Sequence, residues 1–125
     1  MAENEHFFAF LDIAPMTKGH TLVIPKFEAD KEGDYIFDMD DEMYAGLMMF
    51  AKQVAKAIEA AVPCKRVGVA VMGMEVPHTH IHLIPINEEA DMNFFKDKVS
   101  LSAQEMTEIA TKISQNMANQ HSEVF

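Results

Sequence analysis

Cysteine is nearly absent: Cys64 is the single one in 125 residues, which excludes an internal disulfide and leaves no CxxC pair for a zinc knuckle. It follows Pro63 at the edge of an apolar run and reads as buried filler. Basic residues are scarce too. Ten Lys and Arg against twenty Asp and Glu give a net charge of -10 and a pI near 4.9, the wrong sign for wrapping nucleic acid phosphates. One small phosphorylated ligand is not excluded, because backbone N–H groups and protonated histidine hold a phosphate locally. Long hydrophobic runs are also missing. The longest, Val67 to Met74, is far short of the ~18 residues of a membrane span, and the N-terminus lacks the charged-then-apolar order of a signal peptide. These absences predict a soluble cytoplasmic protein with neither nucleic acid nor membrane as partner. No repeat, low-complexity segment or linker divides the chain, and 49% hydrophobic residues suffice for one domain, 1–125, with a real core.

Histidine, by contrast, is concentrated. In His78-Thr79-His80-Ile81-His82-Leu83-Ile84-Pro85 an extended backbone puts His78, His80 and His82 on one face and Thr79, Ile81 and Leu83 on the other. At a rise of roughly 3.3 Å per residue, neighbouring imidazoles on that face are about 6.6 Å apart at Cα, near enough for their tips to converge. With six histidines in the chain, chance produces such a row in roughly one chain of this kind in a hundred. Two chemistries use it. Neutral imidazoles bind transition metals, so a zinc-dependent hydrolase on His78, His80 and His82 is one reading. The other is phosphoryl chemistry, with one imidazole as nucleophile and another as acid.

In chain order, residues 1–5 read as frayed and His6 to Asp12 as a Phe-rich strand, Phe8 and Phe10 facing away from Phe7, Ala9 and Leu11. Ala14 to Gly19 is a turn and His20 to Pro25 a second strand, antiparallel to the first, with Asp12 and His20 at the two lips. A polar connection, Phe27 to Phe37, leads to a long helix over Asp38 to Val62, capped by Asp38 or Asp40 and ended by Pro63. Met43, Leu47, Phe50, Val54, Ile58 and Ala61 form its core stripe. Tyr44, Met48, Ala51, Ala55 and Val62 add more apolar surface than one sheet face needs, which points to a homodimer through this 38–62 helix. Arg66 to Met72 is near-continuously apolar and is expected as a central strand, an antiparallel neighbour of the histidine strand. Asn87 to Ser100 is polar with Phe94 and Phe95 embedded, a loop suited to folding over something. Ser102-Ala103-Gln104-Glu105 is a capping box opening a second helix, which is expected to loosen after Asn119. The predicted class is α+β, an antiparallel sheet of four to five strands with two helices.

These residues resemble a known family. His78 to Ile84 matches the His-φ-His-φ-His-φ-φ pattern of the histidine triad superfamily, φ being apolar and Thr79 the loose fit. Ala9-Phe10-Leu11-Asp12-Ile13-Ala14-Pro15 with Gly19-His20-Thr21-Leu22-Val23-Ile24-Pro25-Lys26 looks like that family's first hairpin, so the likeness spans about residues 6 to 86. The resemblance implies a nucleotidyl hydrolase or transferase acting on a purine nucleoside 5'-monophosphate group, a phosphoramidate or dinucleotide polyphosphate, as a homodimer and without metal or other cofactor. Carried over by position, it makes His80 the nucleophile, flanked by His78 and His82, with His20 completing the cluster. Asp12 would accept from the ribose hydroxyls, Phe10, Leu11 and Ile13 would line the base pocket, and Glu75 and the Val76 N–H would lie by the phosphate and leaving group. His82, where the transferase branch has glutamine, favours hydrolysis. The chain departs from the family in starting almost on the first hairpin, in the apolar position near Ala70, and in the short Gly73-Met74-Glu75 connection. A carboxylate at Glu75 would disfavour polyphosphate tails and favour amine leaving groups. With ordinary imidazole pKa values near 6.5, one ring is expected neutral and nucleophilic while a protonated neighbour supports the phosphate. A nucleotide-binding module without turnover is the remaining alternative.

Overall fold

The computed structural model describes residues 1–26, 35–72 and 78–124, with 119–124 as backbone. Five strands, β1 (Ala2–Glu3), β2 (Phe7–Leu11), β3 (Thr21–Pro25), β4 (Arg66–Val71) and β5 (Ile81–Ile86), form one antiparallel sheet in the order β1-β2-β3-β5-β4. Two helices, α1 (Asp41–Ala61) and α2 (Ala103–Val124), complete the α+β architecture. Alternation decides which side of the sheet is core: Phe7 and Ala9 on β2, Val23 on β3, and Ile81 and Leu83 on β5 are all buried. They meet Leu47, Phe50, Val54 and Ile58 of α1, with Ile109 and Ile113 of α2 closing the same cluster.

Asp40 caps α1, its side chain accepting from the Met43 N–H at 2.8 Å. Asp38 belongs instead to a separate 3-10 turn, Ile36–Asp38, so the helix begins three residues later than its acidic prelude suggests. In the second helix the capping box forms, Glu105 N–H to Ser102 Oγ at 3.1 Å and Ser102 N–H to Glu105 Oε1 at 3.3 Å. α2 packs on α1, so part of the apolar surplus of the 38–62 helix is covered within the chain. α1 still exposes Met49 and Tyr44.

Four expectations need correction. Residues 1–5 are not all frayed: Ala2 and Glu3 pair with Ala9 and Phe8, and Glu3 meets Lys26 at 2.8 Å. The strand over Arg66 to Val71 is an edge, not central, because β5 lies between it and β3, with Leu83 opposite Thr21 on one side and Val69 on the other. Its apolarity has a different cause. Val67 and Val71 pack on the core, Met92 folds over the other face at Gly68, where a Cβ would come 2.7 Å from its sulfur, and Val69 is left 54% exposed. The histidine strand starts at Ile81, so His78 and His80 precede the ladder and only His82 lies in it. The second helix continues to Val124, beyond Asn119. The connections Phe27 to Asp34 and Gly73 to Pro77, with Glu75 and Val76, lie outside the described residues.

Thr79, the polar residue at an apolar position of the motif, is 1% exposed, and among the described residues its hydroxyl has no hydrogen-bond partner. A buried, unmatched hydroxyl costs stability, and valine has the same branched shape. Thr79→Val is therefore expected to raise the unfolding free energy by roughly 1 kcal/mol, about 3–5 °C in Tm. A chemical or thermal melt reads it, and a lowered Tm would show that the hydroxyl is satisfied.

Candidate active site

The first hairpin and the histidine segment meet because β3 and β5 are neighbours, with Leu22 opposite His82. His20 sits just before β3, held there by a turn in which its N–H donates to Thr17 O at 3.1 Å. Gly19 makes that turn possible: its φ of 97° is a left-handed conformation, and a Cβ there would come 3.0 Å from Val62 and 3.2 Å from Pro85. The result is a cluster of imidazoles, His20 and His82 with ring centroids 5.2 Å apart, His80 and His82 4.9 Å apart.

Backbone partners settle which ring nitrogen carries each proton, because a carbonyl only accepts and an amide N–H only donates. The Met16 N–H donates to His20 Nδ1 at 3.0 Å, so this nitrogen is unprotonated and the proton of the neutral ring is on Nε2. His20 Nε2 then donates to His82 Nδ1 at 2.9 Å, which leaves His82 with Nε2–H as its donor. On the other flank His80 Nδ1–H donates to the His78 carbonyl at 2.8 Å, so neutral His80 has its lone pair on Nε2. His78 Nε2–H donates to the Pro25 carbonyl at 3.0 Å, tying the first histidine to the end of β3.

Electrostatics agree. His20, 2% exposed, is pushed down to about 4, by burial first and then by His82 and Lys98, against the opposing pull of Asp12. His82 is lowered as well, by burial, then His80 and, more weakly, Lys98, with Asp12 again opposing. Both rings are therefore neutral at pH 7. The protonated neighbour that ordinary imidazole pKa values suggested is not supplied by His20 or His82.

Asp12 is anchored by the Ala14 N–H on Oδ1 at 2.8 Å, and its Oδ2 lies 3.7 Å from His20 Nε2. Of the residues expected at the base, Phe10 and Leu11 are half-buried, Phe10 stacking on Phe8 at 5.5 Å, and Ile13 is 93% exposed. Phe10 lies on the face of β2 away from the core, whereas Leu11 packs against the core cluster, so the two do not share one surface. Sequence reasoning missed three contributors: the Met16 amide, Phe94 and Lys98. The Phe94 ring stands edge-on to His82 at 5.1 Å. The segment bearing it is fastened by Val99 N–H to Pro15 O at 2.8 Å. Two phenylalanines in an otherwise polar loop were the available signal.

Among the described residues, the side chains near enough to share a metal ion are Asp12, His20 and His82, not the three-histidine row. A metal-bound imidazole donates its other N–H outward. His20 Nδ1 instead receives a backbone N–H, so the proton that metal binding through Nε2 requires has no place. These donors do not fit a metal.

Residues 1–89 match the HIT domain family model. The chain belongs to the histidine triad, or HIT, family. It is 31% identical over 123 residues to an uncharacterized HIT-like protein of Borreliella burgdorferi, covering 92% of this chain and 86% of that protein. To an adenosine 5'-monophosphoramidase of Schizosaccharomyces pombe it is 36% identical over 117 residues, 91% of this chain and 84% of the relative. Among solved structures, a hypothetical histidine triad nucleotide-binding protein of Sulfolobus tokodaii superposes with a TM-score of 0.74 at 27% identity, covering 94% of this chain and 82% of that one. A zinc-bound histidine triad family protein of Mycobacterium smegmatis gives a TM-score of 0.70 at 25% identity, with 91% and 82% covered.

The buried neutral His20 makes folding pH-dependent. Its pKa is about 4 when folded and near 6.5 unfolded, so its contribution is complete above about pH 6.5. Below that the unfolded chain binds the extra proton, and stability falls as pH drops towards 4. The loss in denaturant midpoint between those pH values is expected to be smaller in His20→Gln than in wild type, and equal losses would mean that His20 is not buried neutral.

Proposed function

We propose that this chain is a hydrolase that cleaves a purine nucleoside 5'-monophosphate amide or ester through a nucleotidyl-His80 intermediate. The observation that carries the reading is the tautomer of His80: with Nδ1–H engaged by the His78 carbonyl, the Nε2 lone pair is free to attack. Attack on phosphorus forms a P–N bond to His80 as the bond to the amine or phosphate leaving group breaks, and the leaving group takes up a proton. Water then attacks the same phosphorus as the P–N bond to His80 breaks, restoring the Nε2 lone pair. Its released proton replaces in solvent the one that the leaving group took up, leaving nucleoside monophosphate as the product. His82 Nε2–H, oriented by the donor chain from Met16 through His20, is the hydrogen-bond donor for a non-bridging oxygen. Asp12 would take the ribose hydroxyls and Phe10, Leu11 and Ile13 the base, which would cover the exposed isoleucine. Glu75 and Val76 keep the leaving-group role that the family resemblance assigns. The monophosphoramidase name of a relative supports the amide substrate.

Hydrolysis of an adenosine phosphoramidate is the test. His80→Ala is expected to lower kcat by at least about a thousandfold with nucleotide binding retained, and wild-type turnover is expected to survive a chelator. Binding without turnover in wild type would leave a nucleotide-binding module, and loss of turnover with chelator would restore the zinc reading.

The same proposal includes a homodimer. Tyr44 and Met49 on α1 remain exposed once α2 is in place, and Val69 is exposed on the adjoining edge strand. Sedimentation should give a dimer that Met49→Glu weakens. A monomer at all concentrations would rule it out.

A further inference from the structure

The site has a shortage of positive charge. Its substrate carries an anionic phosphate, the chain has a net charge of -10, Asp12 lies 3.7 Å from His20, and both His20 and His82 are neutral. Yet one cation is held close by. The segment from Phe94 to Val99 is fastened at both ends, to the imidazole cluster through the Phe94 ring on His82 at 5.1 Å and to the first hairpin's turn through Val99 N–H to Pro15 O at 2.8 Å. Pro15 precedes Met16, whose N–H orients His20. Lys98 lies between those two anchors, its Nζ donating one hydrogen bond to the Phe94 carbonyl at 2.9 Å. Two ammonium protons remain for a ligand. Lys26 and Lys96 face Glu3 and Asp91, at 2.8 and 3.8 Å, whereas among the described residues no carboxylate lies within ion-pair distance of Lys98.

We propose that Lys98 is the phosphate-binding cation of this site, supplying from the segment after the histidine motif the charge that the buried imidazoles cannot carry. Its ammonium takes a non-bridging oxygen of the nucleotidyl phosphate beside the His82 donor, and Phe94 fixes its position. The proposal rests on the reading of the cluster as a nucleoside monophosphate site. Lys98 already lowers the proton affinity of both His20 and His82, as a charge near the pair must.

The test compares AMP with adenosine, which lacks the phosphate, by calorimetry on wild type, Lys98→Met and Lys98→Arg at neutral pH. Lys98→Met is expected to weaken AMP by roughly ten- to a hundredfold, Lys98→Arg to recover most of it, and adenosine to bind all three alike. The salt dependence of AMP binding should also flatten in Lys98→Met. NMR titration provides a second readout: the His82 ring pKa is expected to rise in Lys98→Met and to stay low in Lys98→Arg. Equal losses for AMP and adenosine would make Lys98 a strut for Phe94 and overturn the proposal, as would unchanged AMP affinity or failure of wild type to bind AMP. Lys98-dependent AMP binding without turnover would defeat the hydrolase and leave this assignment standing. Turnover without Lys98 dependence would do the reverse.

Discussion

Every chemical property of the cluster depends on backbone groups that dictate imidazole tautomers. An amide N–H faces His20 Nδ1 and carbonyls face His80 Nδ1 and His78 Nε2. A carbonyl cannot donate and an amide N–H cannot accept, so these contacts define proton positions that solvent-exposed rings would exchange freely. The consequence is one imidazole, His80, with its lone pair on Nε2 beside another, His82, with an Nε2–H donor. The same constraint makes the cluster a poor metal ligand set, although Asp12, His20 and His82 are near enough to share an ion.

That arrangement needs a fold that brings backbone to side chain from three places. Gly19 turns the chain so that His20 lies under Met16, the β3–β5 pairing brings His82 against His20, and the end of β3 presents Pro25 to His78. Burial then does the rest. Removing His20 and His82 from water disfavours their charged forms more than Asp12 can compensate. Neutral rings are the outcome, so the cluster brings no positive charge of its own from His20 or His82.

The edge position of β4 shows how a fold tolerates a strand that reads as central. Its inner side chains join the core, its outer face is shaded by Met92, and the remaining exposed valine sits at a free edge. Sheet edges and leftover apolar helix surface are where chains of this size associate. That surface is smaller than the sequence implied, since α2 covers part of it.

The α+β class, the two helices, the first hairpin and the histidine motif were legible in the sequence, because periodicity and turn chemistry are local properties carried by neighbouring residues. Capping by Asp40 and the Ser102–Glu105 box were legible for the same reason. Tertiary structure alone decided that β5 is interior and β4 an edge, since strand order depends on which edges meet in space and no residue pattern encodes that. It alone decided the protonation of the site. Met16 acts through its amide, which every residue except proline has, and Phe94, whose carbonyl holds the Lys98 ammonium, meets His82 in a segment anchored by Val99 to Pro15. Contacts made by backbone atoms or across long sequence separations leave no signature in residue type, which is why the histidines of the motif could be named in advance and their tautomers and charge states could not.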